Sequence, residues 1–185
     1  MTFLLFPDNT VLVNFALISR IALLETLLAG HGHWTVTIAA ECAAGAAIRG
    51  LEEMSLAERF LGQPIVPTQG ERVTAGLIRA RLAGLGDRPT DHLGEAETFA
   101  VISSRAMNAI FVTDDVRAAR LAQALELKTL STAEVFRLGV HAKCLTADEA
   151  WNHLEDLRQN GRVLPHCPLT LGQFRAWCAR TEHKS

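Results

Sequence analysis

Acidic residues are the side chains of this sequence best spaced to act together. Asp8 follows a short apolar run, and Glu41 lies in an Ala-rich stretch behind a second run. Glu95 opens a third apolar stretch, and Asp114 and Asp115 come directly after Phe111-Val112-Thr113. Carboxylates gathered in one place repel and raise one another's pKa. A hard divalent cation relieves that repulsion, and Mg²⁺ or Mn²⁺ favours oxygen ligands. Such an ion lowers the pKa of a bound water, directs it at a phosphorus and stabilises the leaving oxygen, so no nucleophilic side chain is needed. The chain carries no G-x-S-x-G, H-E-x-x-H or Walker phosphate loop. Covalent hydrolysis, zinc peptidase chemistry and nucleoside triphosphate binding therefore lack support.

Capping is the plain account of any one of these acids taken alone: Asp8 suits the start of one helix and Asp115 the start of another. It explains poorly why acids recur at the same end of successive strands. Asp114 and Asp115 rank equally as site residues. Glu95 is preferred to Glu97, because side chains two apart on a helix point about 200° apart, which leaves Glu97 an outer or structural part. Arg117 and Arg120 are the best candidates for phosphate contacts, ahead of Arg79, Arg81 and Arg88, although solvated helix faces carry the same charges. His31 and His33 read as loop residues, since no Cys or third His stands at zinc-ligand spacing, and His92, which precedes Glu95 and could line the site, reads as a loop histidine near a helix start.

The elements that must position these groups follow from hydrophobic period and punctuation. Residues 2–6 form a buried strand stopped by Pro7, and Asp8-Asn9-Thr10 offers caps for a helix carrying Val11, Leu12, Phe15 and Leu17. A helix over 21–28 ends at Gly30. Residues 34–38 (Trp-Thr-Val-Thr-Ile) are rich in β-branched side chains and are expected to be the second strand, with a helix over 39–48 bearing Glu41 near its start. A short helix at 55–61, an edge strand at 64–67 and a helix over 72–82 come next. A loop spans 84–92. Helix 93–107, strand 109–112, helix 116–125, strand 127–130 and helix 132–138 follow, and beyond Gly139 the chain is helical and polar. Alternating strands and helices indicate parallel units with helices on both faces of the sheet, whose functional groups collect beyond the carboxyl ends of the strands.

Four segments, taken in order, resemble the PIN-like domains: Pro7-Asp8-Asn9-Thr10-Val11-Leu12, Val36-Thr37-Ile38-Ala39-Ala40-Glu41, Leu93-Gly94-Glu95-Ala96-Glu97 and Phe111-Val112-Thr113-Asp114-Asp115-Val116-Arg117-Ala118-Ala119-Arg120. The third and fourth are similar to one branch, which opens its helix with Gly-Glu-Ala-Glu and uses an Asp-Asp segment. The resemblance covers roughly residues 2–160 and implies a three-layer α/β/α sandwich with a mainly parallel sheet. It assigns residues 1–140 to the domain and 141–185 to a helical extension packed on it. It further implies a Mg²⁺- or Mn²⁺-dependent phosphodiesterase acting on RNA, with Asp8, Glu95 and Asp114 or Asp115 on metal and Glu41 completing the site. Asn9 or Thr10 matches the small polar residue that supports the first Asp; both count, with Arg117 and Arg120, as substrate-side candidates. Many relatives are toxins of a toxin–antitoxin pair, so a small antitoxin and a homodimer belong to the same expectation. Pro7 departs from the pattern, and residues 50–91 align with nothing distinctive. The alternative is a catalytically inactive PIN-like binding or regulatory module. A phosphoryl-accepting receiver domain is weaker, because the second strand ends in Ile38-Ala39-Ala40 where that fold needs an Asp.

Composition sets bounds only. The 185 residues are 49% hydrophobic and 21% charged, which excludes disorder, and 18 basic against 20 acidic residues give a net charge of −2. Cys42, Cys144, Cys167 and Cys178 form no C-x-x-C pair and read as reduced thiols. The opening MTFLLFPDNT lacks a basic segment, and no apolar run approaches the roughly 20 residues that span a bilayer. A soluble, cytoplasmic protein is the expectation.

Overall fold

A computed structural model of the protein describes residues 3–180. Three short strands, β1 (Leu4–Pro7), β2 (Ala109–Val112) and β3 (Lys128–Leu130), form a parallel sheet in the order β1-β2-β3. Parallel neighbours need crossovers, and here helices supply them. Between β1 and β2 run α1 (Asn9–Leu17), α2 (Ile21–Leu28), α3 (Val36–Ala46), a 3₁₀ turn (Glu52–Leu56) leading into α4 (Ala57–Leu61), α5 (Gln69–Leu82) and α6 (Leu93–Ser104). Helix α7 (Val116–Ala124) joins β2 to β3, and α8 (Thr132–His141), α9 (Ala147–Gln159) and α10 (Leu171–Ala179) follow. The architecture is α/β.

The pleat of the strands divides the core in two. Phe6 and Phe111 pack with Phe99 of α6, Ala75 of α5 and Ala118 of α7. Their neighbours Leu5 and Val112 pack with Phe15 of α1, Ile38 of α3 and Phe136 of α8. Successive side chains of a strand point to opposite faces, so helices cover both sides of the sheet. Helices α9 and α10 add Leu154, Leu157 and Phe174 to the second of these cores, with Phe174 between the rings of Trp151 and Trp177.

Pro7 belongs to β1, opposite Val112. The N–H groups of Leu4 and Asp8 donate to Asn108 and Val112, whereas that of Leu5 donates the other way, to His31. By alternation the nitrogen of Pro7 faces the same outer side as that of Leu5, where β1 meets only a single bridge to Gly32. A missing donor costs the ladder nothing there. Thr2, expected in this strand, lies outside the described residues.

The second strand expected at 34–38 is absent. Thr35 makes one isolated bridge to Ile65, and α3 starts at Val36. Two influences outweigh the β-branched composition. The Ala-rich stretch that follows is strongly helix-forming, and the Glu97 carboxylate of α6 accepts from the Thr37 N–H at 3.1 Å, capping a helix whose own Thr35 makes no side-chain cap. Ile38, Cys42 and Gly45 then lie along one buried helical face. The edge strand expected at 64–67 reduces to that same bridge at Ile65. No helix of the described residues is long and apolar enough to cross a membrane.

Candidate functional site

Asp8 stands one residue past β1, its N–H still on the ladder to Val112. It caps α1 with Oδ1, which accepts from Asn9 N at 2.7 Å, while Oδ2 accepts from Thr10 Oγ1 at 2.7 Å and from Thr113 Oγ1 at 3.0 Å. The residue is only 2% exposed. Burial pushes its pKa up from 3.8 to about 7, and the neighbouring Glu95 carboxylate adds to the rise against the three hydrogen bonds. Thr113 also accepts from Asp115 N at 3.0 Å, so one hydroxyl ties the ends of β1 and β2 together.

Glu41 lies a turn and a half into α3, not at the end of a strand, yet it reaches the same place. Its pKa rises from 4.5 to about 7, first through burial and then through Asp8, Glu95 and Glu97. Gly94 makes this approach available. A Cβ at position 94 would stand 2.4 Å from Ile38 Cδ1 and 3.1 Å from Glu41 Oε1, so only a residue without a side chain lets α6 lie this close to α3. Glu95 and Glu97 are both buried at the start of α6. Glu97 spends one oxygen on the cap of α3 and lends its charge to Glu41.

Glu95 meets a second group on its other side. His92, in the left-handed region at φ 62°, stands immediately before α6 and brings Nδ1 to 3.3 Å from Glu95 Oε1. One ligand atom from each of His92, Glu95 and Asp115 falls within 4.8 Å of the other two. Asp115 also caps α7, Oδ1 accepting from Arg117 N and Ala118 N. The opposite ring nitrogen of His92 faces Asp87 at 3.4 Å. The Gly84 N–H holds the Asp87 carboxyl below its usual range, with help from Arg117 and His92. Comparison with protein-family models, with curated proteins and with solved structures finds no match.

The adjacent acids of β2's end part company. Asp114 turns away, Oδ2 accepting from Asn14 Nδ2 at 2.6 Å and Oδ1 from Thr132 N at 2.9 Å. Burial raises its pKa, while Thr132, Arg162 and Asn14 oppose the rise; no acid of the cluster contributes. Of the five acids expected together, Asp8, Glu41 and Glu95 share a field and Asp115 joins through Glu95, while Asp114, bonded to Asn14 and Thr132, lines the same cleft as Asp115. Thr10 supports Asp8, while Asn9 Oδ1 is a buried oxygen without a hydrogen-bond partner. Arg117 is directed at Asp87 and the Leu82 carbonyl. Arg120 lines a cleft beside Asp115. Two contributors were less legible: Thr113, whose only sequence signal is its place beside the acids, and His92, signalled by its i, i+3 spacing from Glu95.

Carboxylate oxygens with a single imidazole nitrogen form a donor set suited to Mg²⁺ or Mn²⁺. Two carboxyls lifted to about 7, first by burial and then by neighbouring carboxylates, are the electrostatic counterpart of such a set, because a cation would draw both back to the ionised form.

Proposed function

We propose that this protein is a divalent-cation-dependent nuclease that hydrolyses RNA phosphodiester bonds, built on a three-layer, PIN-like arrangement. The observation that carries the reading is the meeting of Asp8, Glu41 and Glu95 in one buried electrostatic unit beyond the end of β1, with His92 and Asp115 alongside. Glu95, Asp115 and His92 are the residues to hold Mg²⁺ or Mn²⁺, with Asp8 behind them. The ion, when bound, supplies an acidified water and positive charge for the leaving oxygen. Asp8 is fixed by Thr10, Thr113 and the Asn9 N–H, so its carboxylate needs no reorganisation during reaction. Glu41, half-buried beside Asp8 and Glu95 and ionised once a cation is bound, is suited to accept a proton from the attacking water. Thr113 keeps Asp8 and Asp115 in register.

The inactive binding module has one observation in its favour: Asp8 and Asp115 both cap helices, which acids do without any ion. Cleavage assays separate the readings. Purified protein incubated with mixed single-stranded RNAs is expected to cut them with Mn²⁺ or Mg²⁺ and to stop in EDTA. Asp8→Asn, which retains an acceptor for the cap, is expected to lower the rate by about 10³-fold or more while keeping the native circular dichroism spectrum. RNA left intact by the wild-type protein under every metal condition, or cut equally by Asp8→Asn, would end the nuclease assignment.

A further inference from the structure

Two clefts adjoin along the edge of the sheet, where β3 pairs only with β2. The first, of about 580 Å³, reaches the candidate site at Asp115 and is lined by Thr113 and Asp114 beside it, by Arg120 and Gln123 of α7, and by His166 from the segment between α9 and α10. The second, of about 600 Å³, shares Thr129, Leu130 and Glu134 with the first and continues to Lys128. Each has the volume of a ligand pocket for a group the size of a nucleotide.

Charge along this groove is arranged unevenly. Acids crowd the end at Asp115, while the outer stretch carries Arg120 and Lys128, both exposed. Neither has an ion pair among the described residues. The Lys128 ammonium lies 4.4 Å from the centre of the Phe3 ring, an uncharged partner that leaves its positive charge in place. Arg105, Arg158 and Arg175 pair with Glu71, Glu155 and Asp148, whereas Arg49, Arg59, Arg72 and Arg81 are exposed and, like Arg120, have no ion pair among the described residues. The carboxylate common to both clefts, Glu134, is turned into the cap of α8, accepting from Ser131 N and Oγ. Arg120 and Lys128 are distinguished among the exposed, unpaired cations by lining the two adjoining clefts, one of which reaches Asp115.

Resting on the nuclease reading, we infer that this groove is the track for single-stranded nucleic acid on one side of the scissile phosphate. Arg120 and Lys128 contact its backbone phosphates, and His166 borders it. Contacts of this kind position a strand without reading its sequence, and the clefts combine these cations with apolar side chains such as Leu127 and Leu130.

The test uses a labelled single-stranded RNA oligonucleotide of mixed sequence, bound to full-length Asp8→Asn protein so that it survives, and followed by fluorescence anisotropy across a salt series. Adding Arg120→Ala and Lys128→Ala together is expected to weaken binding roughly tenfold or more. It should also make the plot of log affinity against log salt shallower by about 1.4, the share of two phosphate contacts on a single strand. In the cleaving enzyme the same pair is expected to raise KM in proportion. Arg49→Ala, exposed and away from both clefts, is the control and should change neither. Affinity and salt slope unaltered by the double substitution, in a protein whose wild type cuts RNA, would overturn the groove and leave the nuclease standing. A wild type that neither binds nor cuts the RNA would overturn both. Both substituted residues are on the surface, and an unchanged melting temperature will show that the double variant folds.

Discussion

Two carboxyls of the site titrate near neutrality, and burial is the first reason for each. Asp8 and Glu41 have folded pKa values of about 7, against ordinary values of 3.8 and 4.5. A carboxyl whose pKa rises on folding holds its proton more tightly in the native state. Its contribution to stability is full below the unfolded value and is lost as pH climbs through the folded one. Metal-free protein is therefore expected to become less stable between about pH 5 and about pH 8, by a few kcal/mol in all. Glu71, held at about 2 chiefly by its bond to Arg105, works in the opposite sense, but only as pH falls below its ordinary range. In the window above about pH 5 Glu71 is silent, Asp114, also raised by burial, adds to the decline, and His153, lowered by burial, opposes it. The comparison with Asp8→Asn is what isolates the site. Melting curves in EDTA at the two ends of that window will show the decline, and Asp8→Asn should shrink it. A melting temperature that stays level or rises over that range in the wild type would mean that the acids are less crowded than their positions indicate.

At the scale of elements, the close pairing of α3 and α6 decides whether Glu41 belongs to the site. Residues 34–38 carry a strand's composition, and a local reading makes them one. The helix prevails because its first turn is capped from a distant segment by Glu97, and because the following alanines favour it. Neither the cap nor the approach of α6 is visible in the local sequence. Gly94 is the contact point, and Gly94→Ala tests it directly. The new Cβ would press on Ile38 and on the Glu41 carboxylate, costing about 1–3 kcal/mol if the helices separate and drawing Glu41 away from Asp8. Chemical denaturation should register the first effect and a reduced rate of RNA cleavage the second. Wild-type stability and rate in that variant would show that the two helices have room to spare.

Across the whole molecule, the segment after α9 is tied back to the end of β2. Arg162 donates to Asn14 Oδ1, and Asn14, fully buried on α1, donates to Asp114 and to Thr132. A buried polar group that loses its partner costs the fold about 1–3 kcal/mol. Arg162→Ala is expected to destabilise by that order, since it orphans the Asn14 carbonyl and removes a positive charge near Asp114. Arg162→Lys should recover part of the loss. The network also anchors the 163–170 connection whose His166 lines the groove, so a change measured in urea melts should be accompanied by weaker RNA binding. Equal stability of wild type and Arg162→Ala would assign the arginine to the solvent-facing surface.

The order of apolar runs, breaks and caps is written locally, and it determined most helices and all three strands of the sheet to within a few residues. It also determined that Asp8 and the Asp114-Asp115 pair stand beyond strand ends, because parallel crossovers place the carboxyl ends of strands on one side. The different surroundings of Asp114 and Asp115 were not local: Asn14 and Thr132 bond Asp114, with Arg162 near it, while Asp115 lies beside Glu95. The entry of Glu41, the placing of His92 between Asp87 and Glu95, and the meeting of Arg120 of α7 with Lys128 of β3 along adjoining clefts likewise depend on groups far apart in the chain. Hydrophobic period acts between near neighbours and can be read in one dimension, whereas the fields of buried charges and the hydrogen bonds that satisfy them take shape only when the chain has folded.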